Sequence, residues 1–257
     1  MVLGSAPKAL GIAYAVLAVI VLASLWHSGW FSRRRAAGFL LVSAALGFLI
    51  FSPVFPYILQ LVILGDTREL GVLLPAAAAG LLVFIAVTLF CGRIVCGQIC
   101  PVGAVQELIY LIPVPRHGRN LTPRAMSVRI GIFIVILATG VGFSVNLLGI
   151  IGLKDFFFLS PTSPGFAVFF AIVLVSVTVY RPFCRFICPY GVFLAIGAAR
   201  SRWKIRRTDA CIQCGRCERA CPVNVATAEN SRAECYLCGR CTEVCPVEGA
   251  LVYGRKS

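Results

Sequence analysis

The chain has 257 residues, of which 59% are hydrophobic and only 13% charged, which excludes an ordinary soluble globular domain and points to a bilayer. Its formal net charge of +14 would suit nucleic acid in a soluble protein. In a membrane protein the same excess orients the chain and meets lipid headgroups, so lipid and not nucleic acid is the expected partner.

In chain order, the apolar runs fill a membrane domain over residues 1–202, and a polar, cysteine-dense domain occupies 203–257. A crossing helix needs about 20 apolar residues. Five stretches qualify, at 9–31, 36–52, 71–90, 128–153 and 158–180. Lys8 before the first run would also suit a secretory leader, but no convincing cleavage site follows and Arg33, Arg34 and Arg35 stand directly behind, so a retained helix is expected. One set of loops carries Arg33, Arg34, Arg35, Arg93, Arg116, Arg119, Arg124 and Arg129 against Glu107 alone, whereas the opposite loops balance Arg68 and Lys154 against Asp66, Glu69 and Asp155. The positive-inside bias then predicts a multi-pass protein of the inner (cytoplasmic) membrane, with its N-terminus outside and its cysteine-rich tail in the cytoplasm.

The pattern R-x-x-C-x-x-I-C-P-x-G occurs twice at an offset of 88 residues, running from Arg93 and again from Arg181. The copies predict an internal repeat over about 36–112 and 124–200, with two spans and one cysteine motif in each. Cys96 and Cys100, like Cys184 and Cys188, stand at i, i+4, which on a helix brings both sulfurs to one face. If the copies pack about a pseudo-two-fold axis, the four thiols meet at the cytoplasmic edge of the bundle. Three readings stay open for them: a third iron-sulfur cluster, dithiol chemistry, or structural thiols. Arg93 and Arg181 precede the pairs as candidate cluster or quinone neighbours, with headgroup anchoring as the plain alternative. Cys91 has no counterpart in the second copy and is not expected to be a ligand.

The tail carries C-x2-C-x2-C-x3-C-P twice, at Cys211, Cys214, Cys217, Cys221 and at Cys235, Cys238, Cys241, Cys245. Three thiolates on one loop wrap one cubane, and the displaced fourth ligates the other. One 4Fe-4S cluster is therefore expected on Cys211, Cys214, Cys217 and Cys245, and a second on Cys235, Cys238, Cys241 and Cys221. Zinc has no use for the third cysteine and the C-P ending of each run. A domain this small has little core, so the metal sites should supply much of its folding free energy. His27 and His117 are the only histidines and neither lies mid-span, which argues against haem, and no dinucleotide or Walker-type motif supports a flavin or nucleotide.

The paired membrane motifs joined to a two-cluster ferredoxin resemble the NapH and MauN type of membrane ferredoxin over residues 36–257, an architecture shared with the membrane cores of NosR-like and CcoG-like proteins. The expected fold is thus an all-α polytopic membrane domain of about five helices carrying a small α+β bacterial-type ferredoxin. The resemblance implies an electron-transfer subunit of an oxidoreductase of quinol dehydrogenase type, with quinone as substrate and a soluble or membrane-attached redox protein as partner. Copper reduction or oxidase assembly at the paired membrane cysteines is the alternative, since soft thiolates also suit copper.

Overall fold

The computed structural model describes residues 5–52, 54–227 and 230–255. Helix α1 (Ser5–His27) packs on α2 (Arg33–Ile50), where the Tyr14 hydroxyl reaches the Phe39 carbonyl at 3.1 Å and lies 2.8 Å from the Ser43 hydroxyl. Phe51, in the left-handed region at φ 49°, ends α2, and the chain bends into α3 (Phe55–Leu64), which carries Pro56 in its first turn. The short α4 (Thr67–Leu70), capped by Asp66, leads into α5 (Leu74–Cys91). A π-turn (Val95–Ile99) and α6 (Pro101–Ile109) follow, then α7 (Thr122–Phe143), the short α8 (Leu147–Ile150) and α9 (Leu153–Phe157), and α10 (Pro164–Val175). A second π-turn (Phe183–Ile187) precedes α11 (Tyr190–Ala199).

The outer surface of these helices is apolar: Leu17, Leu41, Leu49, Leu82, Val141 and Phe143 are all more than half exposed. Helices apolar all round suit lipid. Among the described residues, three helices are long and apolar enough to cross a membrane, in α1, α5 and α7, or four if the bent pair α2 and α3 is one span. The fifth expected crossing differs. It starts only at Pro164 and gives twelve helical residues, about 18 Å, short of the hydrocarbon thickness. Ser163 instead turns its hydroxyl to Asp155 at 2.5 Å, and Ser160–Ser163 close a turn ahead of Pro164. The expected run to residue 153 is likewise cut at Ser144, which takes φ 53°, after which the Asn146 side chain accepts from the Gly149 amide at 2.8 Å and starts α8. Apolar composition continues through this break, but a local polar cap redirects the backbone.

The tail is closed by two antiparallel strands, β1 (Trp203–Arg207) and β2 (Leu251–Arg255), in register Trp203↔Arg255 through Arg207↔Leu251. Between them lie two matching loop-helix units, α12 (Arg216–Ala220) and α13 (Arg240–Glu243). Gly215 and Gly239 start them at φ 70° and 78°, a conformation that an L side chain rarely adopts. The domain sits on the end of the bundle where α1 finishes and α5 ends: Trp26 stacks on Phe31 at 3.9 Å and faces Tyr253, whose hydroxyl donates to the Cys91 carbonyl at 2.8 Å.

Candidate iron-sulfur centres

None of the thirteen cysteines is in a disulfide. In the tail they fall into two groups. Cys211, Cys214, Cys217 and Cys245 line one small cavity, and Cys221, Cys235, Cys238 and Cys241 line another. Each cavity takes three cysteines from one run and the last from the other run, because β1 and β2 bring the two loop-helix units face to face. Backbone and side-chain N–H groups approach the sulfurs: the Val225 amide donates to Cys221 Sγ at 3.4 Å and Arg207 to Cys217 Sγ at 3.6 Å. Among the described residues, no three His, Cys, Asp or Glu side chains gather tightly enough to hold a single metal ion. A donor set of four thiols around a wider hollow fits a multinuclear cluster better than zinc, which draws its sulfurs to about 2.3 Å from one point.

The membrane cysteines come from the two π-turns. The i, i+4 spacing is not an α-helical face, as the sequence suggested. Cys96 and Cys184 lie inside the π-turns, while Cys100 and Cys188 follow them in extended conformation at ψ 122° and 113°. The turns match bond for bond at the 88-residue offset: the Cys100 amide donates to the Val95 carbonyl and the Cys188 amide to the Phe183 carbonyl, both at 2.9 Å. Pro182 explains part of the second turn, since it forbids the helical region to Arg181, which takes φ 48° instead. All four cysteines are buried and within electrostatic reach of one another. Tyr190, which neighbours Cys96, Cys100 and Cys188, donates from its hydroxyl to the Leu81 carbonyl at 2.8 Å, well inside α5.

Arg93 and Arg181 are not headgroup anchors: they are 1% and 0% exposed. Glu234 of the tail binds Arg93 at 2.6 Å and also pairs with Arg129 of α7. Glu107 of α6 binds Arg181 at 3.0 Å and Arg240 of the tail at 2.6 Å. Each acid therefore joins both domains. Burial opposes the charge on Glu234, but Arg93 and Arg129 outweigh it and hold its carboxyl below the usual range. Arg181 also donates to the Cys96 and Gly97 carbonyls, the latter at 2.6 Å, so an arginine of the second copy ties the π-turn of the first. Gln106 does the converse, donating to Cys184 Sγ at 3.4 Å and accepting from the Phe183 amide at 3.0 Å.

Tyr236, between Cys235 and Cys238, is the residue on which the two cysteine regions meet. Arg93 lies 4.4 Å and Arg181 5.1 Å from its ring centre, and a Cβ on Gly97 would fall 2.0 Å from its carbonyl oxygen. Sequence reasoning missed Tyr236, Glu234, Arg129, Arg240 and Gln106. The one available signal was Glu107, the lone acid among the basic loops.

The profile of one 4Fe-4S binding domain family matches the chain twice, at 73–120 and 163–208, around the two π-turns, and two further 4Fe-4S binding domain profiles match at 205–227 and 235–250. The chain is thus a 4Fe-4S-binding protein with an apolar helical domain. A Methanocaldococcus jannaschii protein whose name states no function, MJ0749, is 30% identical over 186 residues, covering 67% of each chain, and the present chain belongs to its family. A second protein of that archaeon, MJ0750, is 25% identical over 61% of this chain and 70% of its own length. YccM of Escherichia coli (strain K12), which its name describes provisionally as an electron transport protein, is 31% identical over 178 residues, or 62% of this chain, which spans about half the length of that relative (49%). No solved structure matches the chain.

Proposed function

We propose that the protein is a membrane-bound iron-sulfur electron-transfer subunit of the NapH and MauN type, exchanging electrons between the quinone pool and a redox partner protein. The observation that carries this reading is the contact of Gly97 with Tyr236, which sets the membrane cysteines directly against the tail loop of Cys235 and Cys238. The name of the E. coli relative agrees with it. One 4Fe-4S cluster belongs to Cys221, Cys235, Cys238 and Cys241, beside the membrane domain. Another belongs to Cys211, Cys214, Cys217 and Cys245, where Cys214 and Ile212 are exposed and a partner can approach. The four buried membrane cysteines hold a third. When bound, such clusters accept and release single electrons at potentials set by their surroundings. The chain's own part is to order the three sites. The tail lies in the cytoplasm and the N-terminus outside, in keeping with the charge bias of the loops.

The test is iron and acid-labile sulfide analysis of anaerobically purified protein, followed by low-temperature spectroscopy with added quinol. About twelve irons per chain are expected, against about eight without the membrane cluster. Tail clusters that stay indifferent to quinol and quinone in the intact membrane protein would overturn the quinone assignment.

A further inference from the structure

With Arg93 and Arg181 committed to ion pairs, neither is available to receive a quinone, and the site must lie elsewhere. An apolar cavity of the membrane domain is walled by α2, α3 and α5, with Phe55, Leu81 and Phe84 at its inner end and Tyr57, Glu69 and Lys154 at its polar end. Its inner end adjoins the membrane cysteines: Phe55 stacks on Tyr190 with ring centres 5.9 Å apart, and Tyr190 neighbours Cys96, Cys100 and Cys188. At the polar end the Tyr57 hydroxyl donates to Glu69 at 2.7 Å and accepts from Asn146 at 3.1 Å, while Lys154 donates to the other Glu69 oxygen at 2.6 Å. An apolar hollow with a few convergent polar groups is the usual form of a small-molecule site.

Resting on the proposed quinone function, we infer that this cavity binds the isoprenoid quinone, with its headgroup oxygen on Tyr57 and its ring toward Phe55. The polar end lies opposite the tail. Cys91, at the far end of α5, touches Tyr253, and the 18 residues of α5 span about 27 Å. Oxidation of a quinol here releases two electrons, taken one at a time by clusters on the cysteine sites, and two protons. The hydroxyl held by Tyr57 gives its proton to the Tyr57 oxygen as the tyrosine hands its own to Glu69, and the second proton, from the other hydroxyl, is released to water. Burial works against the charge on Glu69, but hydrogen bonds from Lys154 and Tyr57 outweigh it and keep this carboxyl below the usual range, so the Tyr57 proton faces a carboxylate. Electrons thus leave toward one face and the proton carried by Tyr57 toward the other.

Gly80 offers a direct test. It lines the cavity, and a Cβ there would meet nothing within 4 Å. Gly38, on the exposed face of α2, also meets nothing and serves as the control. The experiment measures equilibrium binding of a short-tailed benzoquinone and a short-tailed naphthoquinone to the full chain in lipid nanodiscs. Iron content and helicity are checked for each variant. Gly38→Trp should bind as the unaltered protein does, whereas Gly80→Trp and Tyr57→Phe should each bind at least about tenfold more weakly. Unchanged affinity in both of these variants overturns the cavity assignment while leaving the quinone function standing. No binding of either quinone to the unaltered protein overturns the function itself.

Discussion

Arg93 of the membrane domain and Glu234 of the tail meet at 2.6 Å with both side chains buried, although 141 residues separate them. The pair is one half of a reciprocal arrangement whose other half is Glu107 with Arg240. A buried charge stripped of its partner is costly, so Glu234→Ala, which leaves Arg93 and Arg129 without a carboxylate, should destabilise the docked state by about 3–5 kcal/mol. Limited proteolysis at the junction between the domains, and thermal unfolding in detergent, would register it. Glu234→Ala should cost more than Arg93→Ala, because it strips both Arg93 and Arg129 of their shared carboxylate.

The grouping of the tail cysteines predicts a spectroscopic pairing. Cys245→Ser should damage the same cluster signal as Cys211→Ser, and Cys221→Ser the same signal as Cys235→Ser. Low-temperature electron paramagnetic resonance distinguishes this from grouping by sequence neighbours, in which Cys221→Ser would match Cys211→Ser.

Gly97→Ala probes the contact between domains without altering charge. Its new methyl group would stand 2.0 Å from the Tyr236 carbonyl oxygen, which is backbone and cannot rotate away. The variant should keep its cluster absorbance but lose protection of the tail against protease. Gly80→Ala, with open space around it, should leave protection unchanged.

Removing the clusters with chelator and oxidant should unfold residues 203–255 and leave the membrane helices intact, because among the described residues the tail has a two-stranded sheet and two short helices to hold it. Circular dichroism should show retained helix content, while tryptophan fluorescence should report Trp203 released from its contacts with His27 and Tyr253.

Cysteine spacing was the most legible part of the chain, because a loop that wraps a metal cluster has little freedom in how it spaces its ligands. The recurrence at 88 residues was equally readable from Arg93 and Arg181. Their role was not, since a basic residue beside an apolar run looks the same whether it faces headgroups or a distant carboxylate. The π-turns were also hidden: an i, i+4 pair does not tell an α-turn from a π-turn, and only the paired backbone bonds at Val95 and Phe183 do. Hydropathy overran Ser144 and Pro164 because it counts apolar content and ignores the local hydrogen bonds that end a helix. The cavity at Tyr57 depends on Asn146 and Lys154, from segments far along the chain, and no local pattern marks it.

The join between α11 and β1 has a further consequence. Ser201 is buried, and the Arg202 amide donates to the Leu89 carbonyl of α5 at 2.9 Å, so the connection is itself stitched to the bundle. The tail has no slack with which to swing as a tethered shuttle between two stations. Whatever exchanges electrons with its outer face must travel to it, and turnover should therefore rise with that molecule's concentration until docking saturates.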